Sequence, residues 1–458
     1  MKKLSNFTFL FPTLLAASFP FSTAQAQPHM HGDRPHTHNL PAQGIAHKHG
    51  NTPPGRAVGG QRAAPAQQQQ QARTAPNRPQ NNPQIAGADN ANAQLKQAYQ
   101  QKNYVRVKQI ATKFAQQGDP AGQFILGQLA ILGQGQPKNP QLAFNWLSKS
   151  AASGHPGASY LLGSLYSTGQ GTKKNYGQAH KHYQVAAKAG ISDALVNLGL
   201  MYEKGYGVKK SMPRAIQYYE QAANKGNSQV QLMMGERYIK GVGVKKNPAK
   251  GYQFIKKAHN GGVPEATYLL GVLNANGIGT NKSPQHAFKY LSQAANKNIP
   301  DAQYDLASSY AQGLGTKKNM GQALNWYKKA ANNGVVVAQH NVGLLYLQGL
   351  GTKKNPQQAF QWFNKAARKG DPVSQYFLGD LYVDGVGVAK NHKQALNWYK
   401  KSAAQKFPAA EYSVGAMHAN GFGTAKNLQE AKRWFQKASK NGSKKATNAL
   451  AVLKKNGV

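Results

Sequence analysis

Three His-x-His pairs near the N-terminus are the first groups able to do chemistry: His29 and His31, His36 and His38, His47 and His49. Imidazoles at that spacing can share a divalent copper, nickel or zinc ion. Such a site on a flexible tract is weak and is lost as the rings protonate near about pH 6. The other reading is a hydrophilic tail of biased composition. A second series is cationic. Lys173/Lys174, Lys209/Lys210, Lys245/Lys246, Lys317/Lys318 and Lys353/Lys354 are pairs at equivalent positions, with Lys138, Lys282, Lys390 and Lys426 as single versions. Aligned, they form a basic ridge for an anion; otherwise lysine is a solvated turn residue. A recurrent Gly-x-Gly invites comparison with phosphate-cradling loops. Those need a strand before and a third glycine, or Gly-Lys-Ser/Thr, after, and neither is present.

Catalytic constellations do not emerge. Acidic residues, among them Asp380, Asp384, Glu411, Glu203, Glu220 and Glu236, lie scattered among repeat positions and suggest no convergent acid–base pair. Neither Gly-x-Ser-x-Gly nor His-Glu-x-x-His occurs. Cysteine is absent, which excludes disulfides, thiol catalysis, cysteine–zinc sites and a lipid-anchored N-terminal cysteine. The chain reads as a non-enzyme, with no cofactor beyond a weak metal ion on the histidine tract.

The elements that carry these residues repeat. Gly127, Gly163, Gly199, Gly235, Gly271, Gly343, Gly379 and Gly415 share one phase of a 36-residue period, with Ala307 in the remaining slot. Six residues after each comes the Gly-x-Gly turn, from Gly133/Gly135 to Gly421/Gly423, with no register shift across nine units. Tandem copies of one unit call for a solenoid, which can exceed the size of a single core because each unit packs only on its neighbours.

In the unit from Asp301 to Val336, Asp301 stands at the expected N-cap of a helix A, and Ala302, Leu306, Ala307 and Tyr310 form one helical face. Gly313 and Gly315 end that helix, because glycine takes the left-handed conformation without strain. Asn319 is positioned to cap a helix B whose stripe is Ala323, Trp326, Tyr327, Ala330 and Ala331, and Gly334 closes it. Helix B carries an aromatic at Trp146, Tyr218, Phe254, Tyr290, Trp326, Trp362, Trp398 and Trp434, with His182 in the ninth slot; His418 likewise fills the helix-A tyrosine slot. Both histidines read as packing residues. Glycine inside a helix costs about 1 kcal/mol relative to alanine. Its recurrence in helix A predicts close approach of helix B, with the Trp or Tyr of that aromatic slot packed on bare backbone. Asn298 and Lys406 replace the closing glycine, and lysine suits a left-handed position poorly.

The pattern Ala-x3-Leu-Gly-x2-Tyr-x2-Gly-x-Gly, then Lys-Asn, then Ala-x2-Trp and Ala-Ala-x2-Gly, resembles the Sel1-like repeat, kin to the tetratricopeptide helix pair. The resemblance covers roughly Asp119 to Gly442. It implies an all-α, α/α superhelical solenoid of about nine 36-residue helix hairpins with N- and C-terminal capping helices. It also implies an adaptor or scaffold, in many bacterial members exported and tied to envelope processes or host interaction. The family's cysteine-rich, β-lactam-linked branch does not fit a chain without cysteine.

Residues 1–26 resemble a secretory signal: Lys2 and Lys3, an apolar run from Phe7 to Phe21, and Ala24-Gln25-Ala26 at a cleavage position. The expected product is a soluble exported chain, periplasmic or secreted, with no later membrane span. Residues 27–92, rich in Pro, Gln and His, read as a disordered linker that cannot bury enough apolar surface to order itself. Residues 93–118 read as one N-terminal capping helix, with Leu95, Tyr99, Val105, Ile110 and Phe114 as its apolar contacts; the solenoid occupies 119–442 and a terminal helix 443–458. From Ala93 on there are 49 of the 57 basic and 13 of the 15 acidic residues, so +36 of the net +42 belongs to the folded part. That balance predicts an acidic protein partner lying in the groove built from the A helices. The alternative is a polyanion (envelope polymer, anionic lipid or nucleic acid) on the lysine ridge.

Overall fold

The structure, a computed structural model, describes residues 83–457. The signal-like segment and the histidine tract lie outside them. Among the described residues every regular element is a helix. The described residues divide into two compact units, with the boundary between residues 182 and 183. The first contains α1 (Pro83–Gln100), α2 (Tyr104–Gln116), α3 (Pro120–Leu132), α4 (Pro140–Ala152) and α5 (Pro156–Thr168), and the division falls within α6 (Tyr176–Lys188). The second continues with α7 (Ser192–Lys204), α8 (Met212–Asn224), α9 (Ser228–Lys240), α10 (Pro248–Asn260), α11 (Pro264–Asn276), α12 (Pro284–Asn296) and α13 (Pro300–Gln312). It ends with α14 (Met320–Asn332), α15 (Val336–Gln348), α16 (Pro356–Arg368), α17 (Pro372–Asp384), α18 (His392–Ala403), α19 (Pro408–Asn420), α20 (Leu428–Lys440) and α21 (Lys444–Lys455). Odd-numbered helices from α3 to α19 are the A helices of the repeat and even-numbered ones from α4 to α20 the B helices. Within each unit the substantial packing joins helices adjacent in the chain, with α3 against α5 as a small addition. Nine A/B pairs recur at a 36-residue spacing, and within each unit they pack as a solenoid of helix hairpins.

Local chemistry sets the boundaries. Gly313 ends α13 at φ +73°, and the turn closes when the Asn319 N–H donates to the Tyr310 carbonyl at 2.8 Å. The Asn319 Oδ1 then accepts from the Gln322 N–H at 2.9 Å, starting α14. The A-helix start differs from expectation. Ile299 holds the cap position without a side-chain bond, Pro300 is the first helical residue, and Asp301 lies inside the first turn. Proline suits that site because its missing N–H would have no helical partner. A buried glutamine secures the preceding junction: Gln339 Nε2 donates to the Ala331 carbonyl at 3.0 Å, and Gln231 and Gln375 repeat this to Ala223 and Ala367.

The glycine–large pairing exists, displaced by one residue from the aromatic slot. A Cβ on Gly343 would lie 2.8 Å from the Phe363 ring, one on Gly199 2.5 Å from Tyr219, and one on Gly271 2.8 Å from Leu291. Successive helix residues point about 100° apart, so the side chain facing glycine is the residue after the slot of Trp362 or Tyr218, and it need not be aromatic. The second turn glycine is seated on the preceding hairpin. A Cβ on Gly315 would lie 2.0 Å from the Pro284 carbonyl oxygen, and Gly279, Gly351, Gly387 and Gly423 meet the first residue of the preceding B helix in the same way.

Two further expectations change. Residues 93–118 are not one helix. Lys102 turns left-handed at φ +55°, and Asn103 caps α2 by accepting from the Arg106 N–H, so a hairpin caps this end. Its first helix begins at Pro83, inside the stretch read as linker. Val105 is 58% exposed, and the buried contact from that turn is Val107. Where the closing glycine is replaced, Asn298 and Lys406 both adopt φ +60°, and α18 before Lys406 stops one residue early, at 12 residues rather than 13. Left-handed backbone costs a non-glycine residue about 1–2 kcal/mol, partly offset by glycine's greater freedom when unfolded. Lys406→Gly is therefore expected to stabilise the fold by about 0.5–1 kcal/mol, measured as a rise in denaturation midpoint.

Candidate interaction surfaces

The turns between A and B helices present the lysines. In the first unit these are Lys138, Lys173 and Lys174; in the second they run from Lys209 to Lys426. All are exposed, Lys317, Lys318, Lys353 and Lys354 among them, and so are the further predicted residues Lys210, Lys245 and Lys246. None of the ion pairs found among the described residues uses a turn lysine. Within the second unit, the seating of Gly279, Gly315, Gly351, Gly387 and Gly423 on the backbone of the preceding B helix puts those successive turns in file. The turn lysines of that unit recur, exposed, at the same 36-residue step.

The acidic residues are not scattered in space. Nine of the 13 from Ala93 on lie on A helices, against three basic residues there, Lys204, Arg237 and Lys240; B helices carry 19 basic residues. On α11, α13, α15, α17 and α19 there is no basic residue, whereas Glu265, Asp301, Asp305, Asp380, Asp384 and Glu411 are present. Sorting acids by their place in the repeat would have exposed this.

That face carries a hydrogen-bonded ladder invisible to periodicity alone. Tyr268 donates its hydroxyl to Asp305 Oδ2 at 3.1 Å, Tyr304 is bonded to Asn341, and Tyr376 to Ser413, each joining one A helix to the next. Asp380 also accepts from Tyr399 at 2.6 Å. Burial raises the Asp380 pKa above the usual carboxylate value, although both tyrosine hydroxyls favour its charge. Burial, with Asp380 beside it, pushes the Tyr376 phenol up to about 12. Next to this group a cleft of about 370 Å³ is walled by Tyr376, Phe407, Tyr412 and Lys445.

On the B helices, four successive tryptophans lie under lysines of the next turn. The Nζ atoms of Lys329, Lys365, Lys401 and Lys437 stand 3.7–4.2 Å from the ring centroids of Trp326, Trp362, Trp398 and Trp434. These lysines cover the indoles and hold them by cation–π attraction. His182 stacks on Tyr166 at 5.6 Å, and burial lowers its pKa; His418 is buried and likewise lowered. Among the described residues no three His, Asp or Glu side chains come together to hold a metal ion. No helix among them is long and apolar enough to cross a membrane.

Open faces on a file of helix hairpins define a scaffold-type repeat protein. The particular repeat is the Sel1 repeat: its family model matches nine times, at 120–155, 156–191, 192–227, 228–262, 264–299, 300–335, 336–371, 372–407 and 408–443, and the chain belongs to that family. Two similar crystal structures agree. One is c5321, a protective antigen of uropathogenic Escherichia coli with the same repeat fold. It is 28% identical with a TM-score of 0.59, over 76% of this chain and 83% of that one. The other is a Sel1 repeat protein of Oxalobacter formigenes, 27% identical with a TM-score of 0.57, over 69% of this chain and 93% of that one. Comparison with curated proteins gives no match. Sel1 solenoids are generally non-catalytic scaffolds for protein partners.

Proposed function

We propose that this chain is an exported, non-catalytic scaffold of the periplasm or cell exterior that gathers protein partners in an envelope or host-contact process. The observation that carries the reading is that, within each unit, helices pack mainly on their chain neighbours, which leaves an A-helix face and a turn edge open. The signal-like residues 1–26 and the similarity to an antigen of a pathogenic bacterium support the exported setting. An acidic partner belongs at the turns, where exposed lysines without carboxylate neighbours raise the encounter rate and make binding sensitive to salt. Crosslinking of the chain from Gln27 onward in native extract, followed by mass spectrometry, is expected to recover a defined set of acidic proteins attached through the repeats. Recovery of none above a scrambled control would end the scaffold reading.

A second reading has its own support: a lysine at one turn position in all nine repeats, from Lys138 to Lys426. Here the turn edge binds a polyanion directly. Titration with polyphosphate is then expected to show log K falling linearly with log salt. Salt-independent binding would refute this reading.

A further inference from the structure

Seven consecutive turns in the second unit place an apolar residue between their two glycines, at a 36-residue pitch from Tyr206 to Phe422. Three of these side chains stand about half in water: Val242 at 50%, Leu314 at 49% and Phe422 at 48% exposure. Ile278, Leu350 and Val386 lean partly on the core. The fold does not demand an apolar group here. The same slot holds Gln134 and Gln170 in the turns of the first unit, with the same left-handed glycines on either side. Four residues beyond each apolar tip comes an exposed lysine, such as Lys246, Lys318 or Lys426. The second unit therefore carries an edge on which apolar tips and ammonium groups recur together.

We infer that this edge docks peripherally on an anionic lipid bilayer, with the lysines over the headgroups and the tips entering the interfacial layer. The inference rests on the anion-binding reading of the turns and selects among its ligands. A soluble polyanion rewards the lysines and gains nothing from Leu314 or Phe422. A bilayer surface rewards both, because it offers negative charge and an apolar layer directly beneath it. Attachment is peripheral, since no described helix can span.

The test uses the chain from Gln27 onward, co-sedimented with vesicles of phosphatidylglycerol and phosphatidylcholine, with pure phosphatidylcholine vesicles and polyphosphate in parallel. Wild type is expected to bind the anionic vesicles and polyphosphate, and not pure phosphatidylcholine. The triple variant Val242→Gln, Leu314→Gln, Phe422→Gln adopts the residue native to this slot in the first unit, and its fold is checked by circular dichroism. It is expected to lose at least tenfold in vesicle partitioning while binding polyphosphate as wild type does. Lys246→Gln, Lys318→Gln, Lys426→Gln together should weaken both. Unchanged vesicle binding by the tip variant, or equal binding of pure phosphatidylcholine by wild type, overturns the lipid inference and leaves the anion reading standing. Failure of wild type to bind either polyphosphate or anionic vesicles removes the anion reading as well.

Discussion

Gly315→Ala destabilises the solenoid by about 3–5 kcal/mol, while Gly313→Ala, two residues away, costs about 1–2 kcal/mol. Both glycines are left-handed, at φ +72° and +73°, so both substitutions incur the backbone penalty of a side chain at positive φ. They differ in what the new methyl meets. At Gly313 the nearest atoms, on Lys318 and Thr316, lie 3.4–3.5 Å away, which is ordinary contact. At Gly315 the methyl would lie 2.0 Å from the Pro284 oxygen and 2.5 Å from its carbonyl carbon. Those are backbone atoms at the start of α12, which cannot rotate aside, so one hairpin must part from the other. Denaturant melts of the two variants, with hydrogen exchange at α12 and α14, check this. Equal midpoints for the two would show that the seat of the turn is not rigid.

Gly343→Leu is expected to cost at least about 3 kcal/mol, even after the roughly 1 kcal/mol that leaving glycine returns in helix propensity. The first added carbon already falls 2.8–3.0 Å from three atoms of the Phe363 ring, and that ring is fully buried. Gly343→Ala is milder, and Ala307 shows why: it occupies the equivalent slot in a core shared with Tyr327. Pairing Gly343→Leu with Phe363→Ala should recover part of the loss, a coupling that a double-mutant cycle measures. Purely additive losses would mean that the two side chains do not share one space.

How much of this was legible depends on what each residue's role leaves in the linear pattern. Gly133 to Gly423 and Asn319 mark turns because left-handed backbone and capping each admit few residue types, so the hairpin and its period are readable directly. The partner of Gly343 is harder. Trp362 is larger and more regular than Phe363, and attention falls on it, yet the helical rotation aims Phe363 at the glycine and leaves Trp362 beneath Lys365. The acid on the A face is harder still. Asp305 and Asp380 occupy different repeat positions, so no motif joins them; only folding brings them to the same side. The break at Asn103 escaped because Lys102 gives no warning of a left-handed bend.

Where the second glycine is seated on backbone, it lies a constant 31 residues after the residue it touches, as from Pro284 to Gly315, Met320 to Gly351 and Pro356 to Gly387. A single inserted residue inside that interval would carry a side chain into the seat and rotate the rest of the helix it enters by about 100° off its face. A whole added hairpin would disturb nothing beyond its two joints. Length in this lineage is therefore quantised: chains should gain or lose the 36-residue block intact, and an array's reach along a surface becomes a trait that unequal recombination can adjust in discrete steps.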